Sequence, residues 1–73
     1  MREVVEYIVT ALVDEPDEVE VTEDDRRGEP VLRIRVAEPD RGLVIGRQGR
    51  TIRAIEMVLA ARNGRPPALE IAD

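Results

Sequence analysis

Leu43-Val44-Ile45-Gly46-Arg47-Gln48-Gly49-Arg50-Thr51-Ile52 is the stretch whose reading decides the fold of this chain. Two glycines bracket two long polar side chains, with a branched apolar pair before them and Ile52 three residues after Gly49. Without a Cβ, Gly46 and Gly49 let the backbone turn tightly and approach another backbone closely. Arg47, Gln48 and Arg50 then place cations and amide donors at the tip of the turn. The pattern over 51–63 is helical, so the open N–H groups of its first turn and the positive end of its dipole face the same spot. Such a bend suits a phosphodiester backbone.

Working outward, Leu43-Val44-Ile45 is expected to form a short helical turn after the break at Glu38-Pro39-Asp40-Arg41-Gly42. Before that break, Leu32, Ile34 and Val36 alternate with Arg33 and Arg35, and residues 18–23 alternate acidic and branched side chains. Period-two patterns of this kind mark half-buried strands, and the polar stretch 24–30 joins them as an antiparallel hairpin. Residues 2–13 carry apolar groups at Val4, Val5, Ile8, Ala11 and Leu12, the spacing of one helix face. Pro16 ends that helix, because proline disfavours helical geometry in the residue before it.

After the glycine loop, Ile52, Ile55, Val58 and Leu59 form a stripe that Met57, Ala54, Ala60 and Ala61 widen. Gly64 is placed to follow the helix end, Pro66-Pro67 prevents continuation, and residues 68–72 alternate again as a last strand. A strand that returns through a helical crossover runs parallel to its neighbour. The order helix, strand, strand, short helix, loop, helix, strand therefore predicts one α+β domain over 1–73. Its three-stranded mixed sheet is covered by helices on one face.

Charge is distributed unevenly. The net charge of −5 divides into −8 over residues 1–40 and +3 over residues 41–73. Positive charge thus gathers around the glycine loop and its helix, where a phosphate chain would meet it, while the acidic half weakens non-specific attraction. Every cation is arginine, whose planar fork matches phosphate bidentately and stacks on bases. A compositional bias toward arginine explains the same usage without function.

Val44-Ile45-Gly46-Arg47-Gln48-Gly49-Arg50-Thr51-Ile52 resembles the signature of KH domains, a Gly-x-x-Gly loop between two helices with aliphatic flanks. The element order resembles the type II, prokaryotic-style arrangement, α-β-β-α-α-β, over essentially the whole chain. Within KH proteins the chain is similar to the small bacterial single-domain KhpA (YlqC-like) group. The opening Val4-Val5-Glu6-Tyr7-Ile8-Val9 with Ala11-Leu12-Val13 carries that likeness, as does Pro16-Asp17-Glu18-Val19. Arg47 stands where relatives usually carry lysine, which keeps the charge but changes the grip on phosphate.

The resemblance implies sequence-tolerant binding of single-stranded RNA, with the loop clamping about four backbone nucleotides. It also implies an RNA-chaperone role, and pairing as a homodimer or with a KhpB (Jag)-like KH protein. The RNA-contacting residues so expected are Ile45, Gly46, Arg47, Gln48, Gly49, Arg50 and Arg53. A plainer account makes the two glycines a tight interhelix turn and nothing more. Arg53 and Arg41 are equally well read as surface charges, and Arg53 has Glu56 one turn later as a partner. Arg33 and Arg35 are expected to face solvent, and Arg62 and Arg65 to sit at a helix C-terminus that favours cations.

Other classes are disfavoured on chemistry. The chain holds no histidine, cysteine or serine, so catalysis, a cysteine-built metal site and a disulfide framework are not expected, and no cofactor is implied. A Rossmann fingerprint fails because Gly42 lies four residues before Gly46, and a Walker loop fails because Val44 and Arg50 occupy its glycine and lysine positions. RRM and OB-type binders stack bases on exposed aromatics, yet Tyr7 is the one aromatic and reads as a packing residue. No apolar run approaches the ~20 residues that span a bilayer, so a soluble cytoplasmic protein is expected. The competing function is a protein-interaction or dimerisation module, motivated by the acidic net charge and the apolar excess of the 52–61 helix.

Overall fold

In a computed structural model, which describes residues 1–65 and 67–72, the elements follow the expected order. Helix α1 spans Arg2–Leu12, strands β1 and β2 span Glu20–Arg26 and Glu29–Arg35, and helices α2 and α3 span Arg41–Ile45 and Arg50–Asn63. Strand β3, Ala68–Ile71, closes the described chain, and single 3-10 turns occupy Pro16–Glu18 and Glu38–Asp40. Strand β2 lies at the centre of the sheet, antiparallel to β1 and parallel to β3.

The register explains why this is a one-faced layer. Val21 pairs with Ile34 and Ile34 with Ile71, while Leu32 pairs with Leu69, so apolar side chains line up across the sheet on one face. Val5 and Val9 of α1, Val44 of α2, and Ile55 and Leu59 of α3 close over that row to form the core. The opposite face carries Glu20, Thr22, Arg33, Arg35 and Glu70. There Glu70 pairs with Arg26 at 2.7 Å and with Arg33 at 3.4 Å, linking both edge strands over the central one. These pairs are exposed and contribute at most about 1 kcal/mol each. The expected α+β architecture, a three-stranded mixed sheet with helices on one face, is the one observed.

Several local expectations are corrected. Helix α1 buries Val5 and Val9, with Val13 following, and not the row through Ala11 and Leu12, which are exposed. Two neighbouring rows of α1 are apolar; Val4 and Ile8 pack half-buried against the edge of the core, while the row of Val5, Val9 and Val13 enters it. Tyr7 lies on the far side of that row and is 79 % exposed, so it is not a packing residue. On α3, Ile55 and Leu59 are buried, but Val58 is 49 % and Met57 71 % exposed.

The hairpin is tighter than the expected seven-residue turn. Strands continue to Arg26 and from Glu29, leaving Arg27 and Gly28 at φ +55° and +82°. Paired positive φ values match the twist of the flanking strands. Asp25 Oδ1 accepts the Gly28 N–H at 2.8 Å, holding the bend. Pro30 precedes Val31, where pairing with β3 begins, so its missing donor costs the parallel ladder nothing. At the other end, Gly64 closes α3 at φ +89°, its N–H bonded to the Ala60 carbonyl at 2.7 Å, as expected. Of the two prolines read as a stop, Pro66 lies outside the described residues.

Candidate nucleic-acid interface

Helix α2 is only five residues long, and its position is set by two buried residues. Val44 is fully buried in the core. Asp40, at the helix start, is 2 % exposed, the one buried charged residue among those described. Its Oδ2 accepts the backbone N–H of Glu15 at 3.0 Å, tying the segment before β1 to the start of α2. Sequence reading placed Asp40 in a chain break. An aspartate ahead of a helix signals a cap, but this one makes no side-chain cap to its own helix.

From that anchor the chain turns sharply. Gly46 ends α2 with its N–H on the Gly42 carbonyl at 2.8 Å, then adopts φ +76°, ψ 168°. That combination is essentially confined to glycine. Gly49 donates to the Gly46 carbonyl at 3.0 Å. Gln48 and Gly49 both take left-handed conformations, at φ +57° and +74°. The backbone therefore reverses over Arg47 and Gln48 and enters α3 with Gly49 as its N-terminal cap residue. No side chain caps that end; the Arg50 N–H donates to the Arg47 carbonyl, and the Thr51 nitrogen packs against Gly46.

Packing explains both glycines. A Cβ on Gly46 would collide with the Thr51 hydroxyl and lie 2.7 Å from the Thr51 nitrogen. A Cβ on Gly49 would sit 3.1 Å from an Arg53 guanidinium nitrogen. Arg53 thus folds back over the loop, and no ion pair joins it to Glu56. Thr51 was not singled out from sequence; its spacing from Gly46 carries no signal until the turn conformation is known.

The expected contact residues come together on this one feature. Arg47, Gln48, Arg50 and Arg53 are exposed, while Ile45, Gly46 and Gly49 are half-buried. Of the aliphatic flank, Val44 and Ile55 belong to the core, whereas Ile45 and Ile52 keep part of their surface open. Four arginines outside the loop are ion-paired, Arg2 with Glu6, Arg26 and Arg33 with Glu70, and Arg65 with Glu29, whereas Arg27, Arg35 and Arg62 form no ion pair among the described residues. Arg47, Arg50 and Arg53 form no ion pair among the described residues. Three exposed cations beside a glycine backbone that tolerates close approach are an arrangement chemically suited to an extended anion.

The family model for the KhpA/KhpB KH domain matches residues 2–65. The chain belongs to the KhpA/KhpB KH-domain family. Its relatives include "RNA-binding protein KhpA" of Streptomyces coelicolor, 41% identical over 73 residues, covering 100% of this chain and 92% of that one. The KhpA of Halalkalibacterium halodurans is 41% identical over 76 residues with full coverage of both chains. That of Thermotoga maritima is 44% identical over 64 residues, 88% of this chain and 85% of that one. The solved structure of APE1850 superposes with a TM-score of 0.71 at 22% identity, covering 96% of this chain and 48% of that one. This chain thus spans about half of APE1850, and the likeness is one of fold. Among the described residues of this KhpA/KhpB-family domain, no group of three or more acidic, histidine or cysteine side chains is arranged to hold a metal. No described helix is long and apolar enough to cross a membrane.

Proposed function

We propose that residues 1–73 act as a single KH domain, a non-catalytic module that binds single-stranded RNA in the cytoplasm and serves as an RNA chaperone. The backbone of about four nucleotides lies across Gly46 and Gly49. Arg47, Gln48 and Arg50 contact phosphate and ribose, Arg53 adds a third cation behind the loop, and Ile45 edges the groove that receives bases. The observation that carries this reading is the set of three arginines, forming no ion pair among the described residues, around a bend whose glycines leave the backbone open. Membership of the KhpA/KhpB family and the names of its relatives support it. The test is a fluorescence anisotropy titration with oligouridine RNA. The double variant Arg47→Asp, Gln48→Asp should lose binding while keeping a wild-type circular dichroism spectrum; unchanged affinity would refute the assignment.

A second reading rests on the outer face of α3. Ala54, Met57, Val58 and Ala61 recur at the i, i+3, i+4, i+7 spacing of one helix face and all are exposed. This face pairs the domain with a second copy or with a KhpB (Jag)-like KH protein. Pairing two weak RNA sites raises avidity, so both readings hold together. Sedimentation across a concentration series, with and without RNA, separates them: a dimer indifferent to RNA, with no RNA bound, would leave only the second.

A further inference from the structure

At the end of α3 away from the glycine loop, the helices do not cover the whole inner face of the sheet. A cavity of about 560 Å³ opens there between the hairpin and the last turns of α3. Its size falls within the range of ligand-accepting clefts. Its accessible apolar floor is Pro30, Pro67 and Ala68, with Leu32 buried beneath them at 1 % exposure. Glu23, Glu29 and Glu56 stand around it with Asn63 and Arg65. Arg65 is drawn to Glu29 at 4.0 Å, which leaves Glu23 and Glu56 without an ion pair among the described residues.

Glu23 is out of place by pattern. It pairs with Leu32 and is two residues on from core residue Val21, so it occupies the helix-facing row of β1. An inward-pointing charge on an edge strand guards against edge-to-edge pairing. That role does not require a second carboxylate facing it from α3, nor an open apolar floor. Glu56 and Asn63 are two helical turns apart and line the same cleft, about 10 Å of α3.

We propose that this cleft docks an extended, arginine-bearing segment of a partner protein. The cationic head is held by Glu23 and Glu56, and the aliphatic stem and neighbouring residue rest on Pro30, Pro67 and Ala68. Sign of charge decides against a nucleic acid here: three carboxylates against one arginine repel phosphate and attract guanidinium. The glycine loop lies at the other end of α3, about 10 Å along the helix from Glu56 and about 20 Å from Asn63, so RNA and peptide can be held together.

The test uses a fluorescein-labelled peptide alternating arginine and valine, titrated by anisotropy and mapped by NMR shifts on the full chain. Saturable binding with shifts at Glu23, Leu32, Glu56 and Asn63 is expected. Glu23→Gln with Glu56→Gln should weaken it by about tenfold or more, and a matched glutamate–valine peptide should not bind. The proposal falls if no saturable binding occurs. It falls equally if Asp24→Asn with Asp25→Asn costs as much, which makes the attraction a diffuse field. Displacement of the peptide from the cleft by oligouridine RNA would assign the site to nucleic acid and also overturn it.

Discussion

Gly46 and Thr51 meet across the bend between α2 and α3, so closely that Thr51's backbone nitrogen and Cβ each lie 2.7 Å from the point a Gly46 Cβ would occupy. The backbone nitrogen cannot swing away as a side chain can. The contact therefore makes glycine at 46 a steric requirement as well as a conformational one. The two loop glycines differ on this point, since the neighbour at Gly49 is the flexible end of Arg53.

Gly46→Ala should accordingly destabilise the domain by about 3 kcal/mol, combining a forbidden φ/ψ with overpacking. Gly49→Ala should cost only about 1 kcal/mol, the left-handed penalty for a residue with a Cβ. Urea denaturation of the two variants checks the order; equal losses would show that the Thr51 contact yields.

Arg53→Ala should weaken oligouridine binding severalfold and reduce the slope of log affinity against log salt by roughly one phosphate contact's worth. Its stability should stay within about 0.5 kcal/mol of wild type, since Arg53 is exposed and forms no ion pair among the described residues. A salt series on wild type and variant measures both quantities. An unchanged slope would assign Arg53 to solvent.

Asp40→Ala should cost about 1–3 kcal/mol by leaving the Glu15 N–H without its acceptor in a part-buried site. Asp40→Asn should retain most of that stability, because its amide oxygen still accepts the bond. Comparing the two midpoints in a denaturant titration separates the lost hydrogen bond from the lost charge.

Met57→Glu with Val58→Glu should abolish self-association in sedimentation runs. Monomer stability should move by no more than about 0.5 kcal/mol, because both side chains are largely exposed. Persistence of a dimer would place the pairing surface elsewhere.

Element order, strand alternation and the glycine loop were legible in the residues because each is a local property. Alternation across Leu32, Ile34 and Val36 needs only the pleat of a strand, and Gly46 and Gly49 announce a tight bend by lacking a Cβ. The parallel pairing of β3 with β2 followed too, since a helical crossover constrains direction. Even the charge division around the loop could be counted along the chain.

What only the tertiary structure decided is which of several locally equivalent options packing selects. Helix α1 has two adjacent apolar rows, and its crossing on the sheet buries Val5 and Val9 and turns Tyr7 outward. Arg53 had Glu56 one turn away, yet it lies over Gly49 while Glu56 faces a cleft at the hairpin. Asp40 reads as a surface acid until a partner twenty-five residues distant brings it inside. Periodicity and turn chemistry act over a few neighbouring residues, whereas burial and hydrogen-bond partners depend on segments far apart in the chain.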